Sequence, residues 1–382
     1  MMMETKVQRE LRVLMVTPRY FPYMGGIETH VHEVGRRLAT RGVRVTLLTT
    51  MPHAPQLSHA SLPREEERDG MHVIRVPAWP PERDYYIAPE IFSVVKRGEW
   101  DIVHCQGCHT LVPPLTMLAA KSAALPYVVT FHTGGHSSSW RTRIRDTQWH
   151  VLRSLFAGAA ELIGVSHFEA DYFQRTLHLP ASRFTVIANG VTPPSTRFLT
   201  APIHPLIISI GRLEQYKGHH HLITALPLIR EQRPDMKLLI LGSGPYEAAL
   251  RALAHRVGVA EHVTIRSIPA GERDTMAATL AQAALVTLFS AYEAHPIAVL
   301  EALALARPVL VADTSGLREL AQQGLVRAIP LTSTPREIAT AALQQIEHPL
   351  IPEHIALPTW DECADAVLSV YETSVGGNVC VS

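Results

Sequence analysis

The chain has 382 residues, and at roughly 150 residues per domain this length favours two domains. Hydrophobic residues make up 47% of the sequence and charged residues 18%, so the chain can bury two cores and does not belong to the disordered class. The 35 basic and 35 acidic residues cancel, which excludes an overall attraction to nucleic acid or to an anionic membrane. We therefore expect no nucleic-acid partner.

Four cysteines are too few to form a disulfide scaffold in a chain of this length. Cys105 and Cys108 have the spacing of a metal-binding or redox pair, but Cys363 and Cys380 do not supply the second pair that a structural zinc site needs. The histidine run 219–221 does not indicate a metal site either, because consecutive residues on a helix point in different directions. These patterns favour structural roles and no metal.

The amino-terminal ten residues contain neither the apolar core nor the small-residue cleavage site of a signal peptide. The longest apolar run, from Ile297 onward, is interrupted by Glu301 and Arg307. It falls short of the roughly 18 residues that a membrane-spanning helix needs. We therefore expect a cytoplasmic protein.

Short runs rich in branched and aromatic residues alternate with helical patterns along the whole chain, which predicts parallel sheets built from βαβ units. The predicted strands of the first half are Leu11–Thr17, Val43–Thr49, His72–Val76, Asp101–His104, Tyr127–His132, Leu162–Ser166 and Phe184–Ala188. The pattern restarts with Leu206–Ile210, Lys237–Leu241, His262–Arg266, Leu285–Phe289, Pro308–Ala312 and Leu325–Ile329.

Between the two sets, the segment Thr192–Pro205 holds four prolines and no periodicity, which predicts a linker. The fold class is therefore α/β, with two Rossmann-like doubly wound domains that face each other across a cleft. In such folds ligands bind at the carboxyl ends of the strands.

Gly25 and Gly26 follow the first predicted strand and open a helix with one apolar stripe. The free N–H groups and the dipole at a helix start attract a phosphate. Many helices begin with glycine for turn reasons alone, so this pair by itself leaves both interpretations open.

The loop after Leu206–Ile210 carries Arg212 and Lys217 shortly before a helix. Two cations at the carboxyl end of a strand can clamp a diphosphate from two sides. The alternative is a pair of solvated cations on a surface loop.

Glu293 and Glu301 flank the predicted start of a helix at Pro296, a residue that suits the first helical turn. This helix presents the N–H groups of Ile297 and Ala298 to an anion, while the two carboxylates address two parts of one ligand. The alternative is a capping acid and an unrelated surface acid.

Taken together, these features resemble family 4 of the retaining glycosyltransferases, which have the two-domain GT-B fold. The likeness covers nearly the whole chain and is carried by the motifs PYMGGIETHVHEVGRRLATRGVRVTLLT, DIVHCQG, VVTFHTGG, IGVSHFEAD, VIANGV, IGRLEQYKG, LGSGP, YEAHPIAVLEALALARPVLVAD, TSGLREL and PTWDECADAVLSVYE. The resemblance implies an acceptor-binding domain at 1–195, a nucleotide-sugar-binding domain at 196–358, and a final helical segment, 359–382, that returns to the first domain.

The resemblance assigns the donor's phosphates to five residues. Arg212 and Lys217 would hold the diphosphate, and Gly26 with the backbone amides of Ile297 and Ala298 would cap the phosphates. Fixed cations and helix-terminal amides neutralise the charge that grows on such a leaving group without reorganising.

The rest of the site follows from the same resemblance. Glu301 would bind the ribose hydroxyls, Ile268 would meet the base through its backbone, and Glu293 would lie against the donor sugar. His132 would face the reacting sugar from the first domain, and Glu28, near the glycine pair, is a candidate contact of the acceptor hydroxyl.

The sequence contains no Asp-x-Asp, the metal-chelating motif of the other main glycosyltransferase fold. We therefore expect a nucleoside-diphosphate sugar as donor substrate, no cofactor and no divalent metal. In this family, retention is usually drawn as attack on the face that the leaving group departs from. The departing phosphate then takes the acceptor's proton, so no protein base is named.

Three positions depart from the family pattern. Thr192 stands where an aspartate often follows the Asn-Gly-Val motif, His295 precedes Pro296 in place of an apolar residue, and Ser315-Gly316 stands where two glycines are frequent. For His295 a packing role is favoured over contact with the donor sugar.

The acceptor side gives one weak signal. The segment Trp140–Phe156 places arginines 141, 143, 145 and 153 beside two tryptophans and an apolar stripe. Such a helix can lie on an anionic membrane surface, which would make the protein peripheral on the inner face of the membrane. The alternative is a surface helix with one face in the core.

Other functions are weighed against these residues. A catalytically silent nucleotide-sugar-binding subunit would have lost Arg212, Lys217, Glu293 or Glu301, and all four are present. A nucleotide-sugar epimerase remains a less favoured alternative within the same fold. The sequence does not carry the G-x-G-x-x-G of a dinucleotide-binding dehydrogenase after an early strand.

Overall fold

The structure, a computed structural model, describes residues 10–23, 25–51, 62–80, 86–108, 110–132, 139–200, 203–269, 271–352 and 355–376, with the backbone alone at 139–147 and 196. The chain forms two units. The first consists of the chain up to residue 133, of 143–189 and of 360 onward, and the second mainly of 190–359.

The first unit is built on an eight-stranded sheet with the order β3-β4-β2-β1-β5-β6-β7-β8. Its strands are β1 (Arg12–Val16), β2 (Arg44–Thr50), β3 (Glu65–Arg68), β4 (Met71–Val76), β5 (Ile102–Gln106), β6 (Tyr127–Thr130), β7 (Glu161–Gly164) and β8 (Phe184–Val186). The helices of this part of the chain are α1 (Gly26–Thr40), α2 (Glu90–Arg97), α3 (Val112–Ser122), α4 (Ser139–Ala157) and α5 (His167–Leu177). All strand pairs are parallel except β3 with β4.

All seven strands predicted for this half are present, and β3 is the strand that the sequence pattern missed. Its residues, Glu65–Arg68, are charged because β3 lies at the edge of the sheet, with alternate side chains exposed. Asp69 and Gly70 both have positive φ and close the hairpin to β4, as Asp-Gly pairs commonly do.

The second unit is built on a six-stranded, fully parallel sheet with the order β11-β10-β9-β12-β13-β14. Its strands are β9 (His204–Ile210), β10 (Lys237–Leu241), β11 (Val263–Arg266), β12 (Ala283–Leu288), β13 (Val309–Ala312) and β14 (Arg327–Ile329). Its helices are α6 (Thr196–Leu199), α7 (His219–Gln232), α8 (Glu247–Arg256), α9 (Arg273–Ala281), α10 (Ile297–Ala304), α11 (Ser315–Gln322) and α12 (Pro335–Glu347). The six predicted strands and the α/β fold class are confirmed.

The units divide between residues 189 and 190 and between 359 and 360, whereas the sequence placed these boundaries at 195/196 and 358/359. The described part of the predicted linker Thr192–Pro205 belongs to the second unit. The reason is local: Val191 N–H donates to the Pro358 carbonyl at 2.8 Å, and α6 packs on α9.

The final helix, α13 (Trp360–Ser374), packs against α1 of the first unit. Trp360 and Tyr371 are completely buried there. At the surface of the same contact, Arg41 Nε lies 2.6 Å from Asp365 Oδ1. Although it lies 324 positions further along the chain, Asp365 is therefore a neighbour of α1.

Cys105 lies on β5 and Cys108 shortly after it, and both thiols are buried in the first unit's core. Burial raises the pKa of both thiols well above the ordinary value. Burial in the core and a raised pKa favour a structural role for both thiols over a nucleophilic one.

Candidate active site

The predicted donor residues gather on loops at one edge of the second sheet. Arg212 and Lys217 follow β9, and Glu293 follows β12; Ser315, which was noted only as a departure from the family pattern, follows β13. These three strands are neighbours and run parallel. Their carboxyl ends therefore meet at the same edge, where ligands of doubly wound folds bind.

The backbone of the loop after β9 is shaped by the Gly-x-Gly that follows β10. A Cβ on Gly242 would lie 1.9 Å from the Gly211 carbonyl oxygen, and one on Gly244, whose φ is +156°, would lie 2.5 Å from the Leu213 carbonyl oxygen. The Leu213 N–H donates to the Ser243 carbonyl at 2.9 Å. These glycines allow the two loops to approach each other closely, a role that the bare motif did not reveal.

Lys217 and Glu293 form an ion pair, with Lys217 Nζ 2.5 Å from Glu293 Oε1. The Ser290 hydroxyl donates to the same oxygen at 2.6 Å. Burial on its own would lower the pKa of Lys217, but the charge of Glu293 outweighs it and the pKa is raised. The lysine is therefore held as a cation in a mostly buried position.

Arg212 is fixed from the side by its own loop. Its Nη2 donates to the Tyr216 hydroxyl at 2.8 Å, and its Nη1 lies 3.2 Å from Glu214 Oε1. The side chain is 56% exposed, so the guanidinium is reachable from solvent. Lys217 Nζ lies 5.3 Å from the Tyr216 ring centroid, which brings both predicted diphosphate ligands to the same tyrosine.

The main chain of Glu293 is held by the start of α11. Its N–H donates to Ser315 Oγ at 2.8 Å, and its carbonyl accepts from the Gly316 N–H at 2.9 Å. Ser315 has φ +41°, and a Cβ on Gly316 would lie 2.0 Å from the Ala294 carbonyl oxygen. The left-handed backbone explains why glycine suits position 315, and the serine hydroxyl gives a contact that glycine lacks.

Helix α10 begins at Ile297 after Pro296, as predicted. The N–H groups of Ile297 and Ala298 have no acceptor within the helix, because the first turn lacks preceding carbonyls. One turn in, Glu301 Oε1 accepts from Arg273 Nη2 at 2.5 Å. The carboxylate predicted to bind ribose is therefore paired with an arginine at the start of α9.

The two remaining predicted residues of this unit are hydrophobic or neutral. Ile268, on the loop after β11, is half-buried and packs against the apolar cluster of the second unit. Burial lowers the pKa of His295 to about 4, so this imidazole is neutral at physiological pH. A neutral, largely enclosed side chain agrees with the packing role expected for His295.

In the first unit, the predicted phosphate contact lies at the start of α1. Gly25 is the N-cap and Gly26 the first helical residue. A Cβ on Gly26 would meet no atom within 4 Å among the part of the chain that the structure describes, its immediate neighbours apart. The described residues thus impose no steric demand for glycine at 26, and the backbone there is open to another molecule.

Glu28, the candidate acceptor contact, is half-buried in the first turn of α1. Burial raises the pKa of Tyr86, and the charges of Arg19 and Glu28 act on it in opposite directions. Arg19 and Glu28 therefore both lie within electrostatic range of the Tyr86 hydroxyl.

His132 lies two residues after the end of β6, has φ +48° and is 7% exposed. Its Nε2 lies 2.7 Å from Gln106 Oε1. An amide oxygen only accepts, so this nitrogen carries the proton. The His30 ring packs edge-on against His132 with centroids 4.5 Å apart, and His30 Nδ1 lies 2.9 Å from Asn189 Oδ1.

Behind His132, a buried polar network continues towards α13. Gln106 Nε2 lies 3.2 Å from His104 Nε2, and His104 Nδ1 lies 2.6 Å from the Tyr371 hydroxyl. Burial lowers the pKa of His30 to about 4 and that of His104 to about 3. Both rings are therefore neutral at physiological pH.

The segment predicted as a membrane-facing helix is helical as α4, and its described side chains divide between the core and the exposed surface. Trp149 is 1% exposed in the first unit's core, and Arg153 Nε donates to the Leu177 carbonyl at 2.8 Å. The side chains of residues 140–147 lie outside the described set. For residues 148–156 the structure favours the alternative, a helix with one face in the core.

Several residues of these clusters were not predicted from the sequence: Gln106, Arg273, Ser290 and Ser315. Gln106 lies within the family motif DIVHCQG and Ser315 within TSGLREL, so these motifs could have indicated both residues. Arg273 and Ser290 had no distinguishing pattern. Their roles depend on partners that folding brings within reach.

Two family models match the chain. The model described as Glycosyltransferase Family 4 covers residues 24–193, and that described as Glycosyl transferases group 1 covers residues 200–354. No helix among the described residues has the length and apolar character needed to cross a membrane.

Relatives of known activity match over nearly their full lengths. D-inositol 3-phosphate glycosyltransferase of Jonesia denitrificans is 29% identical, with 93% of each chain covered. Phosphatidyl-myo-inositol mannosyltransferase of Mycobacterium tuberculosis is 26% identical, with 97% of this chain and 99% of the relative covered. These relatives favour neither an epimerase nor a silent subunit.

Among solved structures, Anabaena HepE in complex with UDP and glucose has a TM-score of 0.71 and 19% identity, with 96% of each chain covered. At this identity the likeness concerns the fold, which is that of the GT-B glycosyltransferases. With two family models matched in order along both units, the chain belongs to the family 4, group 1 glycosyltransferases and is a glycosyltransferase.

Proposed function

We propose that this enzyme is a metal-independent retaining glycosyltransferase that moves a sugar from a nucleoside-diphosphate sugar to a hydroxyl of a glycan, lipid or small-molecule acceptor. One observation carries the proposal. Two cations, Arg212 and Lys217, lie on the loop after β9, and a carboxylate, Glu293, holds the lysine in place at 2.5 Å.

The leaving group of such a reaction is a nucleoside diphosphate, on which negative charge grows as the sugar departs. Lys217 is held by Glu293 before any ligand arrives, and Arg212 is braced by Tyr216 and Glu214. Preorganised donors of this kind each contribute about 3 kcal/mol to lowering the barrier. We assign both side chains to the diphosphate.

The start of α10 extends the same arrangement. The N–H groups of Ile297 and Ala298 and the positive end of the helix dipole favour an anion at this position. Gly26 at the start of α1, where a Cβ would meet none of the described non-neighbouring atoms within 4 Å, is assigned an equivalent role. We assign Glu301 to the ribose hydroxyls and the backbone at Ile268 to the base.

For the chemical step, we assign Glu293 to the hydroxyls of the donor sugar and His132 to the transferred sugar. Glu293 already accepts hydrogen bonds from Lys217 and Ser290 on one oxygen, which suits a positioning carboxylate better than a proton acceptor. The departing phosphate then takes the acceptor's proton, and the sugar keeps its anomeric configuration. Glu28 is assigned to the acceptor hydroxyl.

The relatives support the general form of this proposal. Two are glycosyl- and mannosyltransferases whose names specify an inositol-containing acceptor. The fold neighbour HepE was solved with UDP and glucose. UDP is therefore the first nucleotide to test, and an inositol hydroxyl is the first acceptor.

The decisive experiment is a thermal-shift measurement with a chelator present, comparing UDP, GDP, ADP and no ligand. A nucleotide at about a hundred times its dissociation constant stabilises the protein by roughly 2.7 kcal/mol, a readily measured shift. The Arg212→Ala variant should lose this stabilisation. Arg256→Ala, which removes an exposed arginine from the end of α8, should keep it.

Either of two results contradicts the proposal: no nucleotide stabilises the wild-type protein without metal, or Arg212→Ala responds as the wild type does. The stereochemistry is tested separately. Once a donor and an acceptor are found, proton NMR of the first product formed should show the anomeric configuration of the donor. An inverted product would exclude the retaining mechanism and leave the donor-site assignment standing.

A further inference from the structure

The histidine run 219–221 finds no use in the chemistry described above, but its first member occupies a distinctive place. His219 is completely buried where α7 begins, between β9 and the loop that follows it. Its Nδ1 lies 2.8 Å from Ser209 Oγ on β9. Its Nε2 lies 3.3 Å from the carbonyl oxygen of Arg212.

These two contacts define one protonation state. A carbonyl oxygen only accepts, so His219 Nε2 carries the proton and donates to Arg212. Nδ1 is then unprotonated and accepts from the Ser209 hydroxyl. Burial lowers the pKa of His219 to about 4, which keeps the ring neutral at physiological pH. Both ring nitrogens thus have a partner, and the ring has a single orientation.

The loop that His219 contacts begins and ends at glycines in unusual conformations. Gly211 has φ +148° and Gly218 has φ +74°, so the backbone at both ends adopts angles that other residues resist. Lys217 is fixed independently by its ion pair with Glu293. The Arg212 side chain contacts Tyr216 and Glu214 of its own loop, and its backbone is tied to the sheet through His219.

We propose that His219 is a positioning residue for Arg212. By bridging Ser209 and the Arg212 carbonyl, it fixes the backbone from which the Arg212 side chain extends towards the donor's diphosphate. The inference rests on the proposed function. His219 touches neither the donor nor the acceptor in this assignment, and it acts through Arg212 alone.

The next two histidines provide matched controls. The His220 and His221 rings pack on each other with centroids 4.2 Å apart, and they face Tyr246 and Phe289. Both are half-buried on α7. His220 Nδ1 is buried without a hydrogen-bond partner among the described residues. His220 thus has a similar setting in the chain and a different set of contacts.

The test compares UDP with UMP by isothermal titration calorimetry in the presence of a chelator, for the wild type, His219→Leu, His219→Gln and His220→Leu. His219→Leu should weaken the binding of UDP about tenfold, which corresponds to about 1.4 kcal/mol. It should weaken the binding of UMP less than about threefold, which is within the contribution of a single hydrogen bond. His219→Gln, which can donate and accept, should recover part of the UDP affinity. His220→Leu should change neither ligand.

The inference is overturned if His219→Leu weakens UDP and UMP equally or leaves both unchanged, because either result removes the link to the second phosphate. If His219→Leu does not fold, Ser209→Ala serves instead, since it keeps the ring and removes only the hydroxyl that orients it. This variant should weaken UDP more than UMP, and an unchanged ratio would again overturn the inference.

Failure of the underlying proposal is distinguishable in the same titrations. If the wild type binds neither UDP nor another nucleoside diphosphate, the proposed donor site is wrong. The role proposed for His219 in that site is then wrong as well. If GDP or ADP binds in place of UDP, the comparison is made with the corresponding monophosphate and the expected ratios are the same.

Discussion

The two units carry different types of side chain at the carboxyl ends of their parallel strands. In the second unit the side chains are charged and paired across loops, as in the contact of Lys217 with Glu293. In the first unit the group around His132 is neutral and linked by hydrogen bonds, as in the contact of His132 with Gln106. The carboxyl ends of parallel strands thus carry a cluster of paired charges in the second unit and a network of neutral hydrogen-bonded side chains in the first.

The difference follows from what burial costs. Neutral polar groups can be buried deeply if they are hydrogen-bonded, whereas a charge needs an opposite charge or water. His30 and His104 are fully buried and neutral, while Arg212 keeps 56% of its side chain exposed. A site that attracts an anionic donor must retain its charges near solvent, and a group that only orients a sugar need not be charged.

The largest expected effect is on the charged cluster. Lys217→Ala should lower kcat on the order of a hundred- to a thousandfold, because it removes a preorganised cation from the leaving group and leaves Glu293 without its partner. Initial-rate kinetics with the identified donor measure this. Lys237→Ala, at the exposed start of β10, is the control. Activity of Lys217→Ala above about a tenth of the wild type would contradict the assignment.

The neutral network should respond to acid. In the folded chain the pKa of His30 is about 4, below the roughly 6.5 of an unfolded chain. The unfolded state therefore binds more protons between these values, so the free energy of unfolding falls as pH falls from about 6.5 to about 4. For one such histidine the loss approaches about 3 kcal/mol.

Urea denaturation at pH 7 and at pH 4.5 checks this sign. His30→Phe should show a smaller loss of stability between the two pH values than the wild type, whatever its absolute stability. His255→Gln, which changes an exposed histidine in the last turn of α8, should keep the wild-type loss. An unchanged pH dependence in His30→Phe would show that His30 is not protonated on unfolding in this range.

A smaller effect on kcat should distinguish the neutral network around His132 from the charged cluster of the second unit. Gln106→Leu removes the acceptor of the His132 Nε2–H, and kcat should fall about tenfold, in line with the loss of one hydrogen bond to an oriented group. Nucleotide affinity should stay unchanged, because the donor cations lie in the second unit. Steady-state kinetics and calorimetry measure the two quantities. Gln345→Leu, which removes a buried glutamine of the second unit, should leave kcat at its wild-type value.

The smallest effect concerns the strained residue behind Glu293. Ser315→Ala loses the hydroxyl that accepts from Glu293 and keeps φ +41°, whereas Ser315→Gly loses the hydroxyl and relieves the strain. Since a left-handed conformation costs a non-glycine residue about 1 kcal/mol or more, Ser315→Gly should be more stable than Ser315→Ala by about that amount. Equal stability in urea denaturation would show that position 315 stores no strain.

Much of the fold was predictable, because a buried parallel strand leaves a continuous apolar run. Val13–Val16 and Leu238–Leu241 are such runs, and both form strands with a neighbour on each side. The charged edge strand Glu65–Arg68 escaped this pattern, although Asp69-Gly70 marked its hairpin. The division at 189/190 escaped it too, because the proline-rich segment that follows is tied to the second unit by backbone pairing.

The candidate donor residues were predicted by type and position, and the structure supplied their partners. Glu301 was singled out from its place on α10, whereas Arg273, its partner at 2.5 Å, was not. The histidine run was dismissed as a metal site, and the position of His219 against the Arg212 carbonyl became visible only in the folded chain. Ser315 was noted as a departure from the family pattern, but its hydrogen bond with the Glu293 N–H was not predicted.

The sequence by itself determined which segments become strands and helices, since apolar periodicity and turn residues act over a few neighbours. It also determined which loops carry cations and carboxylates, because parallel strands bring their carboxyl ends to one edge. Tertiary structure alone decided the pairs: Lys217 meets Glu293 across 76 positions, and His104 meets Tyr371 across 267. Such contacts require distances of about 3 Å, which are set by the packing of whole helices and sheets and leave no trace in local sequence.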